Sequence, residues 1–303
     1  MKFNDLVSKI KKLKKDRGAI ILAHNYQLPE VQEIADFLGD SLELSRIASH
    51  TDAKVIIFCG VHFMAETASI LCPNKKVILP DIDAGCPMAD MITAEDVKRL
   101  RDKYPEAVFV GYVNTSAEVK AELDFCCTST NAVELVKNIK SKREIVFIPD
   151  KYLADYVSQK TGKKIISWHG FCPTHIKILK EDIIREKKLH PQAKVIAHPE
   201  CIREVIGLAD EVISTSKMVK FCSQTDAKEI IVATEVGIIY RLKKENPFKT
   251  FYPASERAIC PNMKRITQEK ILFALEDLKP EVYVADRIRK KAKKAIEAMF
   301  KIL

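Results

Sequence analysis

Short apolar runs alternate along the chain with longer stretches in which apolar residues recur every three or four positions. Three of these runs, ILAH, FVGY and VIAH, begin at Ile21, Phe109 and Val195, and each precedes a stretch of helical period. Apolar runs of this length are typical of strands that are buried on both faces. Because parallel strands need a crossover connection, the alternation predicts an α/β fold with parallel sheets.

The three runs are copies of one repeat. His24, Tyr112 and His198 occupy the same position in the copies, with steps of 88 and 86 residues. Second and third strands recur in every copy, and a fourth short strand is expected near residues 124–127 and 211–214. The second strands are predicted at residues 55–58, 145–148 and 230–233, and the third strands at 77–79, 165–167 and 250–252.

Each copy is predicted to form a small, doubly wound parallel sheet with helices on both faces, and a pseudo-threefold axis relates the three. Helical stretches that begin ITAED, LKED and ITQEK follow the third strands. The predicted segments are a first repeat at 1–89, a second at 90–175, a third at 176–262 and a C-terminal helical extension at 263–303.

The formal net charge of +9 is concentrated in two segments. Residues 9–17 and 287–303 carry net charges of +5 and +6, so the rest of the chain is slightly acidic. Basic helices without interleaved aromatic residues are typical of a solvated face and not of a nucleic-acid groove. No apolar run is long enough to span a bilayer, and the start MKFNDLVSKIKKLKK does not resemble a signal peptide. We therefore expect a cytoplasmic protein that binds neither nucleic acid nor membrane.

Three of the nine cysteines follow the repeat. Cys86, Cys172 and Cys260 each precede a proline in a loop after a third strand, with steps of 86 and 88 residues. A pseudo-threefold axis would bring these loops together. Three thiolates at one point are able to hold Zn²⁺ with an open fourth position, or three corners of an iron–sulfur cluster with one iron open as a Lewis acid. The other cysteines are expected to be buried apolar residues: Cys59, Cys72, Cys126, Cys127, Cys201 and Cys222.

Polar residues stand where the first strands are predicted to end, which is where open α/β sheets bind ligands. The pairs are His24 with Tyr26, Tyr112 with Asn114, and His198 with Glu200.

Three hydroxyl residues and a histidine add to these pairs. Ser41, Ser129 and Thr215 follow the first strands by the same interval and are predicted to be helix N-caps that also bind anions. His175 lies three residues after Cys172 and is equally well a site residue or a helix-start residue. The weaker candidates are Glu235 and Met64. The chain has no phosphate-binding loop motif for nicotinamide or ATP.

The assembled motifs resemble those of the quinolinate synthases, the A-type enzymes of de novo pyridine nucleotide (NAD) synthesis. The resemblance covers essentially the whole chain and rests on AHNYQ, GDS, GYVNTSAEVKA, TSTNA, PDKYLADYV, HPEC, ATEVGI and CPNMK. It implies three α/β domains around a [4Fe–4S] cluster bound by Cys86, Cys172 and Cys260. It also implies condensation of iminoaspartate with dihydroxyacetone phosphate to quinolinate, with release of phosphate and two waters.

The resemblance assigns roles to the polar residues. It implies proton transfers for which Tyr26, His198 and Glu200 are the expected catalytic groups. The expected substrate-binding residues are His24, Ser41, Tyr112, Asn114, Ser129, His175 and Thr215. An L-aspartate oxidase or dehydrogenase is implied as the source of iminoaspartate.

Three other functions stay open at this point. A zinc-dependent hydrolase or lyase would use the same three cysteines and would be colourless. A protein that binds a dicarboxylate without turnover would tolerate Tyr26→Phe, whereas an enzyme that needs this hydroxyl would not. A nucleic-acid module would show a steeply salt-dependent affinity.

Overall fold

The computed structural model of the chain describes residues 3–140 and 143–301. Residues 1–2, 141–142 and 302–303, among them the outer ends of the first and last predicted segments, lie outside the described residues. In the described part, no helix combines the length and the apolar character needed to cross a bilayer.

Three parallel sheets of four strands form the framework. The first contains β1 (Ala19–His24), β2 (Phe37–Gly39), β3 (Val55–Cys59) and β4 (Lys76–Ile78). The second contains β5 (Val108–Tyr112), β6 (Phe125–Cys127), β7 (Ile145–Ile148) and β8 (Ile165–Ser167). The third contains β9 (Lys194–Ala197), β10 (Glu211–Val212), β11 (Glu229–Ala233) and β12 (Thr250–Pro253).

The three sheets share one strand order. Their orders are β2-β1-β3-β4, β6-β5-β7-β8 and β10-β9-β11-β12, and the named strands pair in parallel. The α/β class and the three repeat-like units are therefore confirmed. The short extra strand, expected in two repeats, is present in all three. The exact segment boundaries stay a prediction.

Helices connect the strands. The α-helices are α1 (Phe3–Asp16), α2 (Pro29–Ile34), α3 (Ser41–His50), α4 (His62–Leu71), α5 (Ala94–Lys103), α6 (Ala117–Lys120), α7 (Ala132–Asn138), α8 (Lys151–Thr161), α9 (Lys180–Leu189), α10 (Arg203–Ile206), α11 (Thr215–Gln224), α12 (Ile238–Glu245), α13 (Gln268–Asp277) and α14 (Asp286–Lys301). Three short 3₁₀ helices span Ala89–Met91, His175–Lys177 and Met263–Arg265.

An aspartate joins the first two strands of every repeat. The side chains of Asp36, Asp124 and Asp210 each accept the backbone N–H of a first-strand residue at 2.8 Å. The backbone N–H of each aspartate also donates to the carbonyl of that same residue, at 2.8–3.1 Å. This pair of hydrogen bonds fixes the short second strand beside the first, which explains how strands of two or three residues persist.

The two basic terminal helices pack on the repeats through apolar faces. Helix α14 buries Ala292, Ala295, Ile296 and Met299 and lies against α4, α6 and β6. Helix α1 packs against β1 and against α13, which also contacts β3. The C-terminal part of the chain is thus anchored on the first and second repeats, and the contact of α13 with α1 and β3 links the end of the third repeat to the first.

Gly170 provides a test of the close packing beside the Cys172 loop. A Cβ at this position would lie 2.5 Å from the carbonyl oxygen of Pro149, while the Gly170 carbonyl accepts the backbone N–H of Lys151 at 2.9 Å. We expect Gly170→Ala to lower the free energy of unfolding by about 1–3 kcal/mol, because backbone must shift to admit the methyl group.

Gly207→Ala is the matched control, since its Cβ would meet its nearest atom at 3.5 Å, an ordinary contact. Urea unfolding of both variants measures the difference. Equal unfolding free energies for the two variants would contradict the packing argument.

Candidate active site

The sequence-predicted site residues all line one cavity of about 180 Å³. The first repeat contributes His24, Tyr26, Ser41 and Cys86; the second, Tyr112, Asn114, Ser129, Cys172 and His175; the third, His198, Glu200, Thr215 and Cys260. The weaker candidates Met64 and Glu235 line it too. No repeat holds the site alone, so its geometry depends on how the three sheets meet.

The strand order explains why these residues converge. In each sheet the first strand lies between the second and the third, so the chain leaves it at the point where the strand order reverses. His24 and Tyr112 are the last residues of β1 and β5, and His198 directly follows β9. The carboxyl ends of three such strands therefore form the wall of the cavity.

The predicted N-caps are wrong by one or two residues. Asp40 caps α3, and its carboxylate accepts the backbone N–H groups of Leu42 and Glu43 at 3.0 Å. The caps of α11 and α7 are Ser214 and Asn131. Ser41 and Thr215 are instead the first helical residues, and Ser129 lies in the loop before α7. Because other residues occupy the caps, the three hydroxyl groups are left to line the cavity.

Each cysteine loop has the same local structure. Cys86, Cys172 and Cys260 are followed by proline and then by a 3₁₀ helix. The backbone N–H groups two and three residues after each cysteine donate to its sulfur. The residue directly after each cysteine does not donate to the sulfur, so proline, which has no backbone N–H, is tolerated at that position. Two N–H donors on each sulfur stabilise the thiolate form that binds a metal.

Exposure separates these three cysteines from the others. They are partly exposed, whereas the remaining six cysteines are buried, as the sequence predicted. Burial still raises the pKa of the Cys86 thiol to about 12 and that of Cys172 well above its usual range. Electrostatic repulsion between the thiolates, from Cys260 on Cys86 and from Cys86 on Cys172, adds to the increase. The donor set therefore suits a positively charged metal centre that displaces the thiol protons.

A buried ion pair holds the third cysteine loop. Glu235 is fully buried and accepts the backbone N–H of Cys260 at 3.1 Å and that of Gly237 at 2.7 Å. The Lys264 ammonium lies 2.9 Å from the same carboxylate and also donates to the Tyr26 carbonyl. Glu235 thus positions the Cys260 loop against the first repeat.

Hydrogen bonds connect the acid–base residues across the repeats. The Glu200 carboxylate lies 2.9 Å from Nδ1 of His175 and accepts the Tyr112 hydroxyl. The same Nδ1 lies 3.1 Å from the Cys172 sulfur. Nε2 of the same His175 ring lies 2.9 Å from the Thr234 hydroxyl oxygen. The Thr234 oxygen in turn accepts the Tyr26 hydroxyl at 2.5 Å. The result is a continuous chain of polar contacts from Tyr26 through Thr234 and His175 to a single carboxylate.

These contacts decide which groups carry charge. Burial alone would raise the pKa of Glu200, but the imidazoles of His175 and His198 and the hydrogen bonds bring it below its ordinary value. Burial and the nearby Glu200 raise the pKa of the Tyr26 and Tyr112 hydroxyls well above the usual range. At neutral pH the site therefore contains a carboxylate surrounded by protonated phenols.

His24 and His198 adopt the same local arrangement. Nδ1 of each ring faces the backbone N–H two residues later, from Tyr26 at 3.2 Å and from Glu200 at 3.4 Å. The neutral rings therefore carry their proton on Nε2. Burial lowers the pKa of His24 to about 4 and that of His198 to about 3. Nε2 of His198 lies 3.2 Å from the Ser129 hydroxyl, so this ring is a neutral donor toward the cavity.

Sequence reasoning missed Thr234, which bridges Tyr26 and His175. It is buried and directly follows β11. The residues that directly follow the second strands are Gly60, Pro149 and Thr234. Thr234 is the one of the three with a polar side chain, and polar residues at the carboxyl ends of strands are candidates for a ligand site.

Cys172, His175 and Glu200 form a group of possible metal ligands whose donor atoms all lie within 4.8 Å of one another. Within residues 3–140 and 143–301, the structure contains one such group of three or more residues. The sulfurs of Cys86, Cys172 and Cys260 form no such group among the described residues, so at least one pair of them is more than 4.8 Å apart. A single Zn²⁺ with Zn–S bonds of about 2.3 Å would need them about 3.8 Å apart. The three-cysteine zinc site therefore fits this spacing poorly.

The fold and the site define an α/β enzyme with acid–base groups and a potential cysteine-containing metal site in one cavity. The chain belongs to the quinolinate synthase family, because the family model described as "Quinolinate synthetase A protein" matches residues 8–301.

Relatives with that name match along the full length. A quinolinate synthase from Thermodesulfovibrio yellowstonii is 58% identical over 301 residues, which cover 99% of each chain. One from Dehalococcoides mccartyi strain CBDB1 is 55% identical and covers 99% of this chain and all of the relative. Quinolinate synthase 1 from Methanosarcina acetivorans is 52% identical over 98% of each chain. The predicted family and enzyme class are confirmed.

The buried, neutral His24 predicts a pH dependence of stability. Its pKa falls from an ordinary 6.5 to about 4 on folding. Between these values the unfolded chain binds more protons than the folded one, so stability is lost as pH falls through this window. The shift corresponds to about 3 kcal/mol. We expect the acid-induced fall in the free energy of unfolding to be about 3 kcal/mol smaller in His24→Gln than in the parent.

Urea unfolding of metal-free protein between about pH 7 and about pH 4 measures the effect. His50→Gln, at the exposed end of α3, is the control and is expected to keep the parental pH dependence. A His24→Gln variant with the same pH dependence as the parent would show that His24 is not the responsible group.

Proposed function

We propose that the cavity synthesises quinolinate from iminoaspartate and dihydroxyacetone phosphate, releasing phosphate and two waters. The observation that carries this proposal is that thirteen predicted site residues from three repeats line one cavity. Membership of the quinolinate synthase family over residues 8–301 supports the same reaction. A role in pyridine nucleotide (NAD) synthesis follows from it.

We propose that Cys86, Cys172 and Cys260 hold a [4Fe–4S] cluster. Three features support it: the loops share one structure, these residues alone among the nine cysteines are partly exposed, and each sulfur accepts two backbone N–H groups. When bound, a cluster with three protein ligands supplies one open iron, a Lewis acid for the hydroxyl that leaves as water.

The hydroxyl groups in the cavity are suited to the anionic parts of the substrates. Iminoaspartate carries two carboxylates, and dihydroxyacetone phosphate carries a phosphate. Thr215 stands at the first position of the ten-residue α11, whose N-cap side chain makes no capping hydrogen bond, so free N–H groups and the helix dipole favour an anion there. Ser41 contributes its hydroxyl group, since the N–H groups of Leu42 and Glu43 in α3 already donate to Asp40. Ser129, Asn114 and the Nε2–H of His24 add further donors along the wall. These residues are assigned to substrate binding.

The hydrogen-bond network is suited to the proton transfers. Glu200 is held as a carboxylate at the centre of the network and is assigned the proton abstraction. Tyr26 keeps its proton, because its pKa is raised, and is assigned the proton donation, with Thr234 and His175 to return the proton. His198 is neutral and acts as a hydrogen-bond donor, which polarises a substrate oxygen without transferring charge. His175 and Tyr112 hold Glu200 in place.

The cytoplasmic location and the supply of iminoaspartate by an L-aspartate oxidase or dehydrogenase stay predictions. Both are consistent with a reactive imine that must reach the cavity from solution.

The cluster assignment predicts the metal content of cysteine variants. Protein purified without oxygen is expected to contain about four irons and four sulfides, and Cys86→Ala, Cys172→Ala and Cys260→Ala are each expected to lose them. Cys201→Ala, which removes a buried thiol outside the loops, is expected to keep them. Iron, acid-labile sulfide and visible absorption are the measurements. Colourless parent protein with one zinc would support the zinc enzyme instead.

The Tyr26 hydroxyl distinguishes catalysis from binding alone. Tyr26→Phe removes the donor but keeps the ring that packs beside His24, with centroids 4.6 Å apart. We expect kcat for quinolinate formation to fall about 10²–10⁴-fold, the usual size of an acid–base contribution, with cluster content unchanged. Tyr252→Phe removes a hydroxyl that donates to Glu229 outside the cavity and is the control. An unchanged kcat in Tyr26→Phe would remove Tyr26 from the catalytic groups.

A further inference from the structure

Asn25 lies between two cavity residues, His24 and Tyr26, but its own side chain points away from the cavity wall. It is fully buried and reaches into the third repeat. Its Nδ2 donates to the Thr215 hydroxyl oxygen at 3.0 Å, and its Oδ1 accepts Nη1–H of Arg241 at 2.7 Å. Asn25 thus connects a cavity hydroxyl to a cation on α12.

Arg241 fixes the orientation of the Asn25 amide. A guanidinium only donates hydrogen bonds, so the amide oxygen must face Arg241 and the amide nitrogen must face Thr215. Arg241 is itself held by the Leu38 carbonyl, at 3.1 Å from Nη1, and by Glu245, at 2.6 Å from Nε. The guanidinium therefore has little freedom to release the amide.

The direction of this chain determines what Thr215 offers to a ligand. The Thr215 oxygen already receives an N–H from Asn25. Within the part of the chain that the structure describes, the Thr215 hydroxyl donates to no protein acceptor. Since Thr215 lines the cavity, its O–H is available as a donor toward the cavity interior. A carboxylate or phosphate oxygen accepts such a hydrogen bond, whereas an ammonium group does not.

The repeat scaffold does not require this interaction. The positions that correspond to Asn25 hold Val113 and Pro199, neither of which has a side-chain donor. The three sheets nevertheless share their strand order. The Asn25 bridge is therefore an addition specific to the first repeat, directed at one cavity residue of the third.

We propose that Asn25 and Arg241 are positioning residues that hold the Thr215 hydroxyl as a donor to an anionic oxygen of the bound dicarboxylate. The inference rests on the proposed function for the identity of the ligand. Neither residue touches the ligand; both act through Thr215.

Asn25→Asp tests the direction of the hydrogen bonds at nearly constant volume. A carboxylate still accepts from Arg241, but it also accepts the Thr215 hydroxyl hydrogen and so removes that donor from the ligand. We expect quinolinate to bind about 10- to 100-fold more weakly to the cluster-loaded variant, as measured by calorimetry. The KM for iminoaspartate, the dicarboxylate substrate, is expected to rise by a far larger factor than kcat falls. Asn138→Asp makes the same charge change on the exposed end of α7 and is expected to bind like the parent.

A double-mutant cycle shows whether the effect passes through Thr215. In a Thr215→Val background the donor is already absent, so adding Asn25→Asp is expected to cause little further loss. If the second substitution still weakens binding as much as it does in the parent, charge repulsion is responsible and the inference is overturned. Thr215→Ser keeps the hydroxyl and is expected to bind near the parental affinity.

Arg241→Met covers the case in which Asn25→Asp does not fold. Without the guanidinium, the Asn25 amide is free to turn its oxygen toward Thr215, and a smaller loss of quinolinate affinity is expected. If every folded Asn25 and Arg241 variant binds quinolinate with the parental affinity, the inference is overturned and the proposed function is not affected. A parent enzyme that neither binds nor forms quinolinate would instead overturn the proposed function.

Discussion

A site that takes one cysteine from each repeat constrains the whole molecule. Cys86, Cys172 and Cys260 line one cavity only because three separate sheets turn the carboxyl ends of their strands toward it. The contact of α13 with α1 and β3 connects the end of the third repeat to the first. The site geometry consequently depends on the packing of the three sheets, because a shift of any one sheet moves the residues that this sheet contributes to the cavity.

Much of the fold could be predicted because it repeats and because strands buried on both faces are continuous apolar runs. The cysteine positions followed from the same spacing. The N-caps were misplaced because Asp40 and Ser214 are as capable of capping as their neighbours Ser41 and Thr215, and sequence alone does not rank them. The Asn25 bridge could not be predicted, since its partner on α12 is 216 residues away and no spacing rule connects them.

The scaffold is symmetric, but the chemistry is not. The aspartates that join first and second strands recur in all three repeats with the same hydrogen-bond length. The residues at the ends of the first strands differ: phenol and imidazole in the first repeat, phenol and amide in the second, imidazole and carboxylate in the third. The shared strand order places the loops around one cavity, and the differences give the three walls of the cavity different chemical groups.

The even spacing of the cysteine loops has a consequence for biosynthesis. At about 5–20 residues per second, a ribosome produces Cys260 roughly 4–18 s after Cys172. During this interval the two earlier thiols exist without the third, and the wall that completes the cavity has not been made. Metal cannot be held by all three ligands until the third repeat has folded against the other two. Loading of the proposed cluster on all three cysteines would therefore follow synthesis of the third repeat, because partly made chains offer only an incomplete set of cysteine ligands.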